Sequence, residues 1–286
     1  MKVAVTGSHG LIGSALVASL EADGHEVVRV VRGPGDVLDV GGLGGVEAVV
    51  HLAGEGIAER RWTPAQKEKI RHSRIMGTDL LARRLAELTP RPAVLVSGSA
   101  VGYYGNGGDD KLDEESPNGS GFLAELVRDW EAATAPASDA GIRVACIRTG
   151  IVQSPKGGAL KRQLPLFKFG LGGRLGPGRQ YQSWIAIDDE VSAIRHVLNT
   201  DDLSGPVNLT APNAVTNAEF TATLASVLRR PALLPVPRFG LALVLGRELV
   251  DEALLFSQRV MPRRLEQSGY QFHYPSLEGA FRALLA

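Results

Sequence analysis

Two hydrophobic periods alternate along the first half of the chain. Short runs rich in Val, Ala and Ile predict buried strands at 3–5, 26–31, 46–52, 93–97 and 143–148. Between the later runs, apolar residues recur every three or four positions, which predicts amphipathic helices that include 64–88 and 125–135. Strands that alternate with helices predict an α/β fold, a Rossmann-type parallel sheet flanked by helices.

The alternation breaks up after Pro155. Glycine-rich stretches around Gly157 and over 170–178 predict long loops, which in a compact protein are often functional. The remainder is mainly helical in pattern, over 217–229, 238–245, 248–258 and 276–285. We therefore predict a dinucleotide-binding domain over 1–210, with substrate-loop insertions at 150–185, and a small, mostly helical C-terminal lobe over 211–286.

Composition narrows the class of partner. Lys plus Arg and Asp plus Glu number 31 each, so the net charge is zero and nothing draws the whole chain to nucleic acid or an anionic membrane. The single cysteine, Cys146, excludes an intrachain disulfide and fits a reducing compartment. The first strand leaves no room for a signal peptide, and no apolar run approaches the roughly 18 residues of a membrane helix. We expect a cytoplasmic monomer or homodimer that acts on a small molecule, without a metal site.

The strongest motif is a glycine-rich turn between the first strand and the first helix. Residues 6–13 read Thr-Gly-Ser-His-Gly-Leu-Ile-Gly, a GxxGxxG spacing. Gly7 allows the tight turn, Gly10 lets the backbone approach a phosphate, and Gly13 lets the helix pack closely on the strand. The helix N-terminus then offers free N–H groups to a pyrophosphate. We predict dinucleotide contacts from residues of this turn: Gly7, Ser8, Gly10, Leu11, Ile12 and Gly13.

The end of the second strand distinguishes the two nicotinamide cofactors. An NAD site usually places Asp or Glu there to bind the ribose 2′-hydroxyl, whereas this chain has Val31 followed by Arg32. A missing acid leaves room for a 2′-phosphate, and Arg32 can pair with that phosphate. The sequence therefore predicts NADP(H) in preference to NAD(H). The alternative is that Arg32 is a solvated surface residue.

With these residues in view, the chain resembles the short-chain dehydrogenase/reductase superfamily in its extended, epimerase-like branch. The matching segments are the glycine turn, the stretch 51–54 at the end of a strand, the serine-bearing stretch 97–105, and Trp-Ile-Ala-Ile-Asp-Asp at 184–189. Arg61-Trp62, Gly157-Gly158 and Gln258 to Pro262 resemble one subgroup that carries an added C-terminal domain of unknown role.

The resemblance implies roles for particular residues. Ser99 maps to the catalytic serine. The end of the preceding strand, predicted at 46–52, maps to the side of the cofactor that carries the adenine ribose and nicotinamide, which implies contacts from His51, Leu52, Ala53 and Gly54. Gly150 and Ile151 follow a strand at the edge where ligands collect in parallel sheets, and are predicted to contact the cofactor.

One departure from the superfamily pattern bears on the chemistry. The superfamily uses Tyr-x-x-x-Lys on the helix after the serine strand, with Tyr as proton donor or acceptor. Phe122 and Leu126 stand at those positions, and neither can move a proton. Either another residue moves the proton, with Tyr103 and Tyr104 as candidates, or the protein binds NADP(H) without hydride chemistry, as a sensor or scaffold.

Candidate substrate residues come from two basic segments. Arg74 lies in the first segment, and the second, around the glycine-rich loop, includes Arg174 and Arg179. Gln180 and Trp184 lie in the same loop and can hydrogen-bond to, or stack on, a flat or sugar-like ligand. We predict Arg74, Gln180 and Trp184 as substrate-binding residues. The sequence thus favours an NADP(H)-dependent oxidoreductase or epimerase-like enzyme that acts on a small anionic or sugar-like substrate. The alternative explanation of the basic segments is that they solubilise loops.

Overall fold

A parallel sheet lies at the centre of the computed structural model, which describes residues 1–33, 37–232 and 235–286. Within this described part the sheet has six strands, in the order β10-β6-β4-β3-β1-β2. Their bounds are β1 Lys2–Thr6, β2 Glu26–Val30, β3 Ala48–His51, β4 Val94–Ala100, β6 Arg143–Thr149 and β10 Gly205–Leu209. The order reverses direction between β1 and β3, so a crevice for a ligand opens there at the carboxyl ends of the strands.

Helices cover both faces of the sheet. Helices α1 (Leu11–Ala22) and α6 (Ile187–Asn199) pack on one face, over a core that includes Val5, Leu16 and Ile194. Helices α2 (Pro64–Glu87) and α4 (Ala135–Asp139) cover the other face. Helix α3 (Phe122–Ala132) packs against both α2 and β4. Because the strands are buried on both faces, their side chains form nearly continuous apolar runs.

A second core lies beside the sheet. It joins α5 (Gly158–Lys168), α7 (Asn217–Leu228) and α11 (Leu277–Leu284) around fully buried aromatic residues that include Trp184 and Phe281. The other C-terminal helices are α8 (Arg238–Leu245), α9 (Arg247–Leu249), a π-helical turn over Val250–Leu255, and α10 (Arg263–Gln267). The C-terminal region is therefore mainly helical.

Short strand pairs, each separate from the central sheet, join loop segments to one another and to the C-terminal region. Strand β5 (Lys111–Leu112) pairs with β12 (Arg259–Val260), and β7 (Ile151–Gln153) pairs with β9 (Trp184–Ala186). Strand β8 (Tyr181–Gln182) pairs with β11 (Val215–Thr216). These pairs hold the segments after β6 close to the carboxyl edge of the sheet.

Two carboxylates, one of them fully buried, hold the C-terminal region against neighbouring helices. The carboxylate of Asp189 is fully buried and accepts hydrogen bonds from the backbone N–H groups of His273 (2.7 Å) and Tyr274 (2.9 Å). Glu252 accepts from the backbone N–H groups of Phe122 (3.0 Å) and Leu123 (2.9 Å), and so caps the start of α3. The C-terminal region thereby fixes the position of α3, the helix nearest the serine strand.

The predicted fold class is confirmed, although the helices α4, α5, α6 and α10 were not predicted. All five predicted strands and the helices at 64–88 and 125–135 are present, with ends shifted by up to three residues. The loop predicted around Gly157 instead opens α5, although that helix contains Pro165. Its apolar residues Leu160, Leu164 and Phe167 are buried in the second core, so tertiary packing overrides the weak local preference. The domain boundary at 210 stays a prediction.

Candidate functional site

Two adjoining pockets form a trough along the carboxyl ends of β1, β2, β3 and β4. The outer pocket, about 270 Å³, is lined by Gly7, Ser8, His9, Gly10, Val30, Val31, Arg32, Leu38, Leu52, Ala53 and Gly54. The inner pocket, about 300 Å³, is lined by Gly7, Gly10, Leu11, Ile12, Gly13, Leu52, Gly98, Ser99, Trp130, Thr149, Ile151, Val152, Gly158 and Ala159. The glycine turn belongs to both pockets and therefore lies at the middle of the trough.

The backbone geometry explains the glycine turn. Gly7 has φ +66°, and a Cβ there would lie 2.7 Å from the backbone carbonyl of Leu52. A Cβ on Gly13 would lie 2.1 Å from the carbonyl oxygen of Gly7. Helix α1 starts after Gly10, with no side chain capping its N-terminus. The turn thus needs glycine at both positions, and it presents an uncapped helix N-terminus to the trough, suited to an anion.

Arg32 marks the outer end of the trough. Its backbone pairs with Leu38 in an isolated antiparallel bridge, and its half-buried side chain lines the outer pocket. It also lines a neighbouring cavity of about 430 Å³ together with Arg60, Lys69 and His72. The carboxylates of Glu55 and Glu68 line the same cavity, so the outer end combines three cationic side chains with two anionic ones.

A hydrogen-bonded network holds Ser99 at the inner pocket. The Ser99 hydroxyl donates to Oε1 of Glu131 at 2.6 Å. Arg148 donates to both oxygens of the same carboxylate, through Nε and Nη2, at 2.8 Å each. The Arg148 side chain is 4% exposed, so this bidentate ion pair is nearly dry. Because the Ser99 proton goes to Glu131, the Ser99 oxygen is left to accept a hydrogen bond from a ligand.

The structure does not bring Tyr103 or Tyr104 to the inner pocket, contrary to their expected catalytic placement. The Tyr104 hydroxyl donates to Oδ1 of Asn208 (2.7 Å) and accepts from Nη1 of Arg148 (3.0 Å). Burial raises the pKa of Tyr104 to about 12. The Tyr103 ring lies 3.4 Å from the Cζ atom of Arg148. Both aromatic rings therefore support the buried arginine.

His51 also departs from its expected contact with the cofactor, because it is fully buried and lines neither pocket. Thr6 Oγ1 accepts from the backbone N–H groups of the two residues after His51, so its own proton goes to His51 Nδ1 at 2.7 Å. The Nε2–H of His51 then donates to Thr78 Oγ1 at 3.0 Å. Burial, aided by the charge of Arg74, lowers the pKa of His51 to about 4. His51 is thus a neutral residue that joins β1, β3 and α2.

Three other residues predicted to contact a ligand line neither pocket of the trough. Trp184 is fully buried in the second core, where its indole N–H donates to the carbonyl of Asn213 at 2.9 Å. Gln180 is buried, and its Nε2 donates to the carbonyl oxygens of Leu175 and Leu254. Gly150 lines neither pocket; a Cβ there would lie 2.7 Å from the carbonyl oxygen of Ser183. Alternation along a strand cannot reveal which aromatic residue a distant helix will cover.

The helix positions that carry Tyr and Lys in the superfamily pattern are apolar and enclosed. Phe122 is 7% exposed and packs edge-to-face on Trp62, with ring centroids 5.0 Å apart. Leu126 is fully buried in the same cluster, beside Ile70. Neither residue lines the inner pocket. The apolar side chains at 122 and 126 are therefore part of the packing between α2 and α3.

Several residues of the inner pocket were not predicted. Trp130 lies two helical turns after Phe122 on α3, so the helical period places it near the face of Phe122 and Leu126. The Thr149 hydroxyl donates to Glu190 at 2.9 Å, and burial raises the pKa of that carboxyl to about 8. The i, i+4, i+8 series on α3 was the signal available for Trp130. Glu131 and Glu190 depend on contacts between distant segments.

The fold, the strand reversal and the glycine turn together define a Rossmann-type dinucleotide-binding protein of the extended short-chain dehydrogenase/reductase class. The family model described as "NAD dependent epimerase/dehydratase family" matches residues 3–210, and a domain of unknown function (DUF1731) matches residues 236–284. The chain therefore belongs to the NAD dependent epimerase/dehydratase family.

Similar proteins span almost the whole chain. "Epimerase family protein Mb2239" of Mycobacterium bovis is 47% identical over 96% of this chain and 94% of its own length. The crystal structure of human epimerase family protein SDR39U1 (isoform 2) with NADPH is 36% identical, covers 99% of both chains and has a TM-score of 0.93. The SDR39U1 homologue of Arabidopsis thaliana, described as chloroplastic, is 40% identical over 100% of this chain and 87% of its own length.

Among the described residues, no helix combines the length and apolarity that crossing a membrane requires. The cytoplasmic location stays a prediction.

Proposed function

We propose that this chain binds NADP(H) along the trough and is an oxidoreductase or epimerase-like enzyme. The observation that carries the proposal is the continuity of the trough, which leads from Arg32 past the uncapped start of α1 to Ser99. The glycine turn leaves room for backbone N–H groups to approach a diphosphate. The NADPH in the human relative's crystal structure supports the same choice of cofactor.

Different residues of the trough would bind different parts of the cofactor. The shared glycine turn would hold the diphosphate, and Arg32 would hold the 2′-phosphate in the outer pocket. The inner pocket would receive the nicotinamide, whose chemistry is to accept or donate a hydride. Ser99 stands at the wall of that pocket with its oxygen free to accept, so it suits a substrate hydroxyl. No charged side chain lines the inner pocket among the described residues, which favours a sugar-like over an anionic substrate.

The 2′-phosphate contact gives a first prediction. Replacing Arg32 by alanine removes a charged hydrogen bond, so we expect NADPH affinity to fall about tenfold or more, while NADH affinity stays unchanged. Calorimetric titration with both cofactors measures this. Arg29→Ala is the matched control, because Arg29 is an exposed arginine of β2 that pairs with Glu21 at 2.7 Å. An equal loss for both cofactors would assign Arg32 a structural role.

A second prediction concerns hydride transfer. With NADP⁺ and a panel of nucleotide sugars and small alcohols, wild-type protein should form NADPH, measured by absorbance. Ser99→Ala should lower kcat/KM about tenfold to hundredfold at unchanged cofactor affinity, because the substrate oxygen loses its hydrogen bond. Thr149→Val removes another hydroxyl from the wall of the same pocket, and it tests whether the loss of any hydroxyl there lowers kcat/KM.

The second candidate function is a sensor or scaffold that binds NADP(H) without chemistry. Phe122 and Leu126 favour it, because they are packed away where a proton-transferring pair would be expected. If wild-type protein binds NADPH but transfers no hydride to or from any member of the panel, this second function replaces the first.

A further inference from the structure

A buried cation lies next to residues that line the two pockets of the trough. Arg74, on α2, is 8% exposed. Its Cζ atom lies 5.1 Å from the centre of the Trp130 ring, and 3.1 Å from where a Cβ on Gly54 would stand. Trp130 lines the inner pocket and Gly54 lines the outer pocket. The guanidinium itself lines neither pocket, but it packs against one residue of each, and the missing side chain of Gly54 lets it come close to the trough.

The charge of Arg74 is poorly compensated by the protein. Its Nη1 donates to the backbone carbonyl of Glu55 at 2.8 Å, and its buried Nε has no hydrogen-bond partner among the described residues. Within the described part of the chain, no carboxylate lies within ion-pair distance of it. Burial lowers the pKa of Arg74 to about 10, against the attraction of the Glu55 carboxylate, and Arg32 adds repulsion. An anion placed near such a buried, unpaired cation stabilises it.

The ligand proposed for the trough brings such an anion. A dinucleotide carries its diphosphate between its two halves, and the glycine turn that would hold the diphosphate is shared by the two pockets. The charge of the diphosphate is the same in NADH and NADPH. A residue that acts on it should therefore affect both cofactors alike, which separates its role from that of Arg32.

We infer that Arg74 is an anchoring cation for the diphosphate of the bound dinucleotide, in place of the substrate contact that its basic segment suggests. The inference rests on the proposed binding of NADP(H). Arg74 acts across the backbone of Gly54 in a poorly solvated position, where a charge is screened less than at the surface. Its charge destabilises the empty protein and is compensated when the cofactor binds.

The test is a titration of Arg74→Met with NADPH and NADH by calorimetry, alongside thermal unfolding of the cofactor-free protein. We expect both affinities to fall by the same factor, about tenfold. The cofactor-free variant should unfold at the same temperature as wild type or higher, because an uncompensated buried charge has been removed. If Arg74 had only a structural role, its replacement by methionine would lower the unfolding temperature and both affinities together.

Two further variants complete the design. Arg74→Lys keeps a positive charge and should keep both affinities within a few-fold of wild type. This variant tests the role of the charge even if Arg74→Met folds poorly. Arg83→Met is the control, an exposed arginine of the same helix that pairs with Asp79 at 2.8 Å. Unchanged affinities in Arg74→Met, or a loss for NADPH alone, would overturn the inference. Wild-type protein that binds neither cofactor would instead overturn the proposed function on which it rests.

Discussion

Gly13→Ala is expected to lower the free energy of unfolding by about 3 kcal/mol or more and to weaken NADPH binding more than tenfold. The new Cβ would lie 2.1 Å from the carbonyl oxygen of Gly7, 2.8 Å from its carbonyl carbon and 3.0 Å from Cα of Ser8. All three are backbone atoms, so no side chain can move aside. Either α1 shifts away from β1 or the glycine turn opens, and both changes displace the N–H groups that face the trough.

Urea unfolding measures the stability change, and calorimetry measures the affinity. Gly42→Ala is the matched control, because a Cβ at Gly42 meets no atom within 4 Å and Gly42 lines neither pocket. If Gly13→Ala unfolded at the same urea concentration as Gly42→Ala, the close packing of α1 on the glycine turn would be wrong.

The second large effect is expected at Glu131. Glu131→Ala removes the carboxylate that Arg148 contacts through two hydrogen bonds and leaves a guanidinium whose side chain is 4% exposed without its ion pair. Breaking a buried pair from one side costs about 3–5 kcal/mol, because the remaining charge is uncompensated. The same change frees the Ser99 hydroxyl, so a loss of activity should accompany the loss of stability.

A double-mutant cycle separates the interaction energy of Glu131 with Arg148 from the contributions of their other contacts. Glu131→Leu with Arg148→Met replaces both charges by apolar groups of similar length, and we expect it to recover most of the stability lost by either single change. Additive losses in urea unfolding would show that the two charges do not stabilise each other. In that event the Tyr103 and Tyr104 contacts would be the main support of Arg148.

The local features of the fold could be predicted from the sequence. The apolar runs identified β1 to β4 and β6, and the GxxGxxG spacing identified the turn at Gly7 and Gly13, because both depend on neighbouring residues. Pocket-lining positions inside that motif, such as Leu11 and Ile12, followed from the same spacing.

The side-chain arrangement in and around the inner pocket depends on contacts that the sequence does not show. Tyr104 meets Asn208 across 104 positions, and Glu131 meets Ser99 across 32. Trp184 was expected in a loop, but it lies on β9, where the helices of the second core cover it. A strand pattern gives the alternation of faces, and only the packing of later helices decides which face is buried.

The central claim is that the trough is an NADP(H) site. Calorimetric titration of the wild-type protein with NADPH and NADH in one buffer tests it most directly. We predict one binding site per chain for each cofactor, with NADPH bound about tenfold or more tightly than NADH. Absence of NADPH binding would contradict the claim outright, and equal affinities would contradict the role of Arg32 at the 2′-phosphate.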